Sequence, residues 1–210
     1  MLAKGSMSWI GAALLFTAAA GYSSLASIGI AKAVLSGLFV LGFFLSIFII
    51  VFFRDPDRKP KGDENDAVSP ADGKVISVND RKLSIFMNIH NVHVNRAPLG
   101  GTVMEIDYKP GGYIPAFNKD SDVNERNHVV INTECGNLEL TQIAGVLTRR
   151  IVSYISEGSM VKRGERIGMI RFGSRVDVTM PEGYVFTVKL NDAIKAGETV
   201  IAMKKDKFCK

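Results

Sequence analysis

Charge is almost missing from the first quarter of this 210-residue chain, where residues 1–53 carry only Lys4 and Lys32. Cysteine is scarce too: Cys135 and Cys209 are too few for the disulfide framework of a small secreted domain. The three histidines, His90, His93 and His128, have no cysteine at ligand spacing, so no metal site is expected. Beyond residue 53 the 24 Lys and Arg nearly balance 21 Asp and Glu, and no basic strand is rich in aromatics. This composition argues against a nucleic-acid partner. Sustained helical periodicity is also absent after residue 54, which argues against a helical soluble domain.

What the first quarter has instead is long apolar runs. Gly5–Ala31 supplies 27 uncharged residues and Val34–Phe53 another 20. Each suffices to cross a hydrocarbon core of about 30 Å, which takes roughly 20 helical residues. Lys32 lies at a very short turn with Gly29, so the two helices are expected to run antiparallel as a hairpin. Ala, Gly and Ser in the first helix permit close packing. A cleaved signal peptide ending near Ala18-Ala19-Ala20 and a helix pair lying in the interface are the competing readings.

Immediately after Phe53, the cations Arg54, Arg58, Lys59 and Lys61 mark the cytoplasmic side of a membrane. Pro56 and Pro60 stiffen this stretch. The expected organisation is a membrane-anchoring hairpin over 1–53, a basic linker over 54–66 and a soluble domain over 67–210. The soluble domain would sit on the cytoplasmic side of the cell (inner) membrane, where both cysteines are expected as free thiols. The linker and the cluster from Lys204 to Lys210 favour anionic membrane lipids as partners.

The soluble part reads as mainly β. Short apolar runs follow turn signals at Gly73–Val78, Leu83–Val94, Gly101–Ile106, His128–Asn132, Leu138–Ile143, Arg150–Ile155, Arg166–Phe172, Val176–Met180 and Tyr184–Leu190. Met160–Gly168 parallels Ala193–Ile201, each reading apolar, Lys, any, Gly, Glu, any, apolar. That pattern, a tight turn feeding a strand, is common in barrel-sandwich domains of the biotinyl or lipoyl carrier type. The expected fold is therefore a barrel-sandwich-like β domain preceded by a transmembrane helical hairpin.

One pair of residues stands out chemically. Gly173-Ser174 lies between the apolar runs Ile167–Phe172 and Val176–Val178. In a strand such a pair most often marks a bulge or bend. It is also a bond that can break itself. Glycine leaves the carbonyl open to attack and tolerates strained backbone angles. Ser174 Oγ can attack that carbonyl to form an ester. Elimination across Cα–Cβ then cuts the chain, and the dehydroalanine left at 174 hydrolyses to a pyruvoyl group.

Other residues suit proton transfer or binding. His90 and His93 lie three apart, so in an ideal strand they face opposite sides, and a turn near Asn91 is needed to bring them together. Structural or solvated histidines are the competing reading. An imidazole can serve as base or proton donor near neutral pH. Asp72 precedes Gly73 in a turn, where it either bonds locally or orients a histidine. Arg126, within Asn124-Glu125-Arg126-Asn127, suits a phosphate or carboxylate if that loop is not merely solvated.

Ser69-Pro70-Ala71-Asp72-Gly73, the run His90–Arg96, Asn124–Asn127 and Arg171-Phe172-Gly173-Ser174 together resemble the phosphatidylserine decarboxylases of the short, membrane-anchored form. The motifs occur in that family's order over roughly residues 50–205. The family more often shows Leu-Gly-Ser-Thr at its cleavage site, and the Phe-Gly-Ser-Arg found here leaves headgroup specificity open. The resemblance implies self-cleavage between Gly173 and Ser174. The products would be a 173-residue β chain and a 37-residue α chain that remain associated, the latter headed by a pyruvoyl cofactor made from Ser174, with no PLP and no metal. It implies Asp72 and His93 acting with Ser174 in self-cleavage, His90 in decarboxylation, and Arg126 and Asn124 in substrate binding. The substrate implied is phosphatidylserine, converted to phosphatidylethanolamine and CO2. A decarboxylase of a related serine phospholipid and a non-enzymatic membrane-tethered adaptor module are the alternatives. A homo-oligomer is compatible with the sequence.

Overall fold

The structure, a computed structural model, describes residues 1–112, 124–145 and 151–205. It divides into two compact units, Met1–Pro56 and Asp57–Lys210.

The first unit is a helical hairpin. Helices α1 (Met7–Leu25) and α2 (Gly29–Phe52) are 19 and 24 residues long and apolar enough to cross a membrane. Contacts near the turn and far from it show that they run antiparallel. Ser24 Oγ lies 2.7 Å from Ser36 Oγ, and Thr17 Oγ1 lies 3.1 Å from Ser46 Oγ. At the open end, the Ala3 N–H donates to the Phe53 carbonyl at 2.9 Å. The buried seam is made of small and hydroxyl residues, including Ala13, Thr17, Ala20, Ser24, Gly42 and Ser46. Large apolar side chains such as Leu15, Tyr22, Leu25 and Ile30 point outward and are mostly exposed. This inverts the pattern of a water-soluble helix pair and suits an apolar solvent, where small residues and hydroxyl pairs hold helices together.

The second unit is the expected β domain. Its strands are β1 (Ala67–Val68), β2 (Gly73–Val78), β3 (Lys82–Met87), β4 (Val94–Arg96), β5 (Gly101–Lys109), β6 (Arg126–Thr133) and β7 (Gly136–Ile143). They continue with β8 (Ile151–Ser153), β9 (Met160–Val161), β10 (Arg166–Ile170), β11 (Ser174–Thr179), β12 (Tyr184–Phe186), β13 (Ala193–Ile194) and β14 (Val200–Lys204). One eight-stranded sheet has the order β13-β2-β3-β11-β7-β6-β5-β9, and two three-stranded sheets have the orders β1-β14-β12 and β4-β10-β8. Alternation puts Leu83, Ile85, Met87, Val176, Val178, Leu138, Leu140, Val129 and Ile131 on one face of the large sheet, where they form the core. Each such side chain, fully buried, contributes about 1.5–3 kcal/mol.

The internal repeat seen in the sequence is a structural one. Each copy is a short strand, a turn and a second strand, with Gly164 (φ 79°) and Gly197 (φ 66°) at equivalent left-handed positions. The Gly164 N–H donates to the Ala97 carbonyl at 2.8 Å, and the Gly197 N–H donates to the Ser69 carbonyl at 2.7 Å. Each turn thus holds the residue that precedes a proline, Ala97 before Pro98 and Ser69 before Pro70.

Three expectations change. The run Leu83–Val94 is not one strand: a turn at Asn88–Asn91 separates β3 from β4, closed by the Asn91 N–H on the Asn88 carbonyl at 2.9 Å. The strand expected over Tyr184–Leu190 ends at Phe186. Cys135 is disulfide-bonded and not a free thiol. The compartment argument behind that expectation concerns average redox conditions and ignores where the fold puts a sulfur. Cys209, Arg150 and the basic residues Lys207 and Lys210 lie outside the described residues.

Candidate active site

Ser174 opens β11, a strand hydrogen-bonded on both sides. It pairs with Met87 of β3, while the next residue, Arg175, pairs with Ile143 of β7. Ser174 is fully buried, and its Oγ makes no hydrogen bond among the described residues. A buried hydroxyl left unbonded normally costs about 1–3 kcal/mol, so its persistence calls for a reason. The preceding backbone is strained. Phe172 (φ 56°) and Gly173 (φ 62°) both occupy the left-handed region. For phenylalanine that conformation costs roughly 1–2 kcal/mol.

The carbonyl before Ser174 is tightly enclosed on one side. A Cβ added to Gly145 would overlap the Gly173 carbonyl oxygen and lie 2.8 Å from its carbon. Only glycine at 145 lets the two backbones approach this closely. The segment carrying it is itself held: the Ala144 N–H donates to the Glu125 carbonyl, and Asn124 Nδ2 donates to the Ala144 carbonyl, both at 2.9 Å. Asn124 therefore supports the wall against which the Gly173–Ser174 peptide rests.

The two histidines have different surroundings. The turn exposes His90, while His93 is buried with Nδ1 2.9 Å from the Asn91 carbonyl. A carbonyl only accepts, so Nδ1 carries the proton and Nε2 is the basic nitrogen. The His93 carbonyl receives the Ile170 N–H at 3.2 Å, which ties it to the strand leading into Gly173. Asp72 is held by the Arg58 guanidinium on both oxygens, by the Ala196 N–H at 2.8 Å and by the Val92 N–H at 3.3 Å. It reaches His93 through the main chain one residue earlier. A row of buried amides also links the sheets here. Asn127 Nδ2 donates to Gln142 Oε1 at 3.0 Å, and Gln142 Nε2 donates to Asn95 Oδ1 at 2.7 Å.

Arg126 alternates with buried Asn127 and lies on the other face of the sheet from Ser174. It shares that face with Arg175, whose guanidinium grips Asp177 through two 2.7 Å bonds. Burial pushes the Asp177 carboxyl up, but the bonds and charge of Arg175, with Ser84 and Lys82, outweigh it and hold the group below the usual carboxylate range.

Sequence reasoning passed over Arg58, Gly145 and Glu125. Arg58 reads as a membrane-flanking cation, and nothing in the line of residues links Gly145 to position 173. Glu125 sits inside a quoted motif, yet its side chain is buried at 2% exposure.

The phosphatidylserine decarboxylase family model matches residues 45–202. A protein of Methanococcoides burtonii is 50% identical over 212 residues, covering 98% of both chains, and its name marks it as a candidate archaetidylserine decarboxylase proenzyme. A Methanosarcina mazei protein with the same name is 48% identical over 98% of both chains. A Streptomyces coelicolor protein, named phosphatidylserine decarboxylase proenzyme, is 44% identical over 95% of this chain and 91% of its own. The chain belongs to the phosphatidylserine decarboxylase family, in its short form. The archaeal matches span the helical hairpin, most of which lies before the residues matched by the family model.

Proposed function

We propose that this chain is a proenzyme that cuts itself between Gly173 and Ser174 and then decarboxylates the serine headgroup of a membrane phospholipid. The observation that carries this reading is the buried, unbonded Ser174 hydroxyl beside two consecutive left-handed residues. Ser174 Oγ attacks the Gly173 carbonyl, and the peptide nitrogen leaves as an amine. Loss of the Ser174 Cα proton expels the Gly173 carboxylate and leaves dehydroalanine, and water then releases ammonia.

A pyruvoyl group fits here because the residue that makes it is already enclosed and has no competing hydrogen bond among the described residues. Once formed, the group supplies a ketone for the substrate amine and an acceptor for the electrons freed as CO2 leaves. The chain's own residues do the rest. His93, with Nε2 as its basic nitrogen, serves self-cleavage. Asp72 positions it through the Val92 N–H. His90, exposed on the turn, hands a proton to the substrate carbon. Asn124 supports the reacting peptide, and Arg126 meets anionic groups from the outer face of the sheet. No PLP and no metal are required.

The products stay together for a structural reason. The piece after the cut contains β11 to β14, and these strands pair with β3, β7, β1 and β2 of the piece before it. Removing it would dismantle two sheets. The hairpin anchors the domain on the cytoplasmic side of the cell membrane, so a lipid with two hydrocarbon tails never has to leave the bilayer. The basic segment after Phe53 adds attraction to anionic lipids.

Phosphatidylserine is the substrate in this reading. A second reading, an ether-linked serine lipid, is favoured by the archaeal relatives that match the full chain. Both lipids present the same phosphoserine headgroup, and parallel assays on the two separate them.

The test of self-cleavage is mass. The uncut chain is 22.9 kDa, and 173 of its 210 residues correspond to about 19 kDa, which leaves about 4 kDa. Gels are run reduced because Cys135 is disulfide-bonded. Two fragments in the wild type and a single intact band for Ser174→Ala support the reading. An intact wild type with an unmodified serine supports the adaptor alternative.

A further inference from the structure

Arg58, one of the four cations that follow Phe53, is turned away from solvent. Lys59 and Lys61 are exposed, whereas the Arg58 side chain is only 11% exposed. A guanidinium withdrawn from water needs partners, and here it has them. Nη1 and Nη2 grip the two oxygens of Asp72, whose side chain is 9% exposed, and Nη1 also donates to the Ala196 carbonyl at 2.9 Å. A two-pronged grip of this kind fixes the direction of a carboxylate as well as pairing its charge.

The segment that delivers Arg58 is itself fastened to the domain. Asp57 Oδ1 accepts from Arg166 Nη2 at 2.8 Å, and the Lys61 N–H donates to the Glu198 carbonyl at 3.3 Å. Between them Pro60 covers the Gly164 turn so closely that a Cβ at 164 would lie 2.7 Å from its ring. Residues 57–61 therefore run as a strap over both repeat turns, and Arg58 reaches from that strap to Asp72.

From Asp72 the contacts lead on to His93. Besides Arg58, the carboxylate accepts from the Ala196 N–H on Oδ1 at 2.8 Å and from the Val92 N–H on Oδ2 at 3.3 Å. Val92 directly follows the Asn88–Asn91 turn, and the next residue is His93, whose Nδ1 lies 2.9 Å from the Asn91 carbonyl. Asp72 Oδ2 thus meets the Arg58 guanidinium and the main chain that carries His93 at once. Without the guanidinium the carboxylate, nearly out of water, keeps only the two amide donors among the described residues. The longer of those two bonds is the one to Val92.

We propose that Arg58 is a positioning residue for self-cleavage. It aims the Asp72 carboxylate and, through it, the main chain of Val92 and His93. The segment that leads out of the hairpin is then part of the machinery that matures the chain. Arg58 touches no reacting atom, and its effect passes through Asp72. The assignment rests on the self-cleaving reading given above.

The test uses full-length chains in detergent and follows precursor loss on reducing gels. Misplacing a reacting group by about 1 Å costs on the order of 10²-fold, so Arg58→Ala should mature about 10²-fold more slowly. Lys59→Ala, which removes the same charge from an exposed neighbour, should mature as the wild type does. Guanidinium chloride, far below denaturing concentration, should recover most of the rate lost in Arg58→Ala, and equimolar sodium chloride should not. A general loss of stability would give no such recovery. The loss should also depend on the partner: Arg58→Ala added to Asp72→Asn should slow maturation little beyond Asp72→Asn alone. Where Arg58→Ala lacks native circular dichroism, Arg58→Lys decides, because an ammonium keeps the charge but cannot grip both oxygens as a fork. It should fold and mature more slowly than wild type. A wild-type rate in either Arg58 variant, no recovery with guanidinium, or losses that multiply in the double variant overturns the assignment. A wild type that never cleaves refutes the self-cleaving reading itself, a different outcome from a wild type and Arg58 variants that cleave alike.

Discussion

Replacing Gly145 by alanine changes one hydrogen to a methyl, and the geometry assigns it a large effect on a bond 28 residues away in the chain. The added Cβ would lie 2.8 Å from the carbonyl carbon of Gly173 and overlap its oxygen. Carbon atoms in contact settle at about 3.5–4.0 Å, so the carbonyl must retreat by about 1 Å. Nothing flexible is available to absorb the clash, because both partners are backbone. Gly145 cannot easily yield either, since Ala144 is held by Glu125 and Asn124. Displacing a reacting centre by about 1 Å costs on the order of 10²-fold in rate. That corresponds to about 2.7 kcal/mol on the barrier. The Gly145→Ala precursor should therefore fold but mature about a hundred times more slowly. A time course of precursor loss on reducing gels measures the rate, and circular dichroism of the uncut chain checks the fold. A Gly145→Ala chain that matures as fast as wild type would show that the position of the Gly173 carbonyl does not limit cleavage, and the enclosed-peptide argument would fail.

His90→Ala should mature at least partly and lose most CO2 release, whereas His93→Ala should fail to mature; if both variants process fully, neither imidazole is the cleavage base. A chain starting at Asp57 keeps the whole second compact unit and should still cut itself. It should lose most turnover on bilayer substrate while retaining some on detergent-dispersed lipid, and equal turnover on vesicles at high salt would deny the hairpin its anchoring role. Asp177 should make the domain acid-sensitive: its folded carboxyl titrates below the unfolded value of about 3.9, so its stabilising contribution is intact above that pH and is lost as pH falls through the lower folded value. Denaturant melts of wild type and Asp177→Asn should differ at pH 7 and converge at the acid end, and a difference independent of pH would count against the Arg175–Asp177 pair.

How far the sequence alone leads depends on what each feature needs. The hairpin is legible because missing charge over 53 residues is a property of composition and survives any detail of folding. The β class is legible because turn residues punctuate the chain at short intervals, and the repeat around Gly164 and Gly197 is visible because a left-handed turn demands the same residue twice. Gly173-Ser174 draws attention because glycine is costly within an apolar strand. The histidines show where this kind of reasoning stops. Their spacing leaves open whether they share a face, and the turn at Asn88–Asn91 decides it by exposing one and burying the other.

The surroundings of Ser174 are harder still, because they are set by register across strands. Glu125 lies 49 positions before Ser174, and Gly145 lies 28 before Gly173. The pairing of β7 with both β6 and β11 brings Gly145 against the Gly173 carbonyl and sets the Ala144 N–H on the Glu125 carbonyl. A slip of one residue in the pairing of β11 with its neighbours would turn Ser174 to the outer face and bring Arg175 inward. The same composition and motifs would then bury a cation where the Ser174 hydroxyl now lies. The enclosure of the Gly173–Ser174 peptide therefore rests on strand register, which no local motif encodes. Changes that loosen that register should slow maturation even when every residue named in the mechanism is intact.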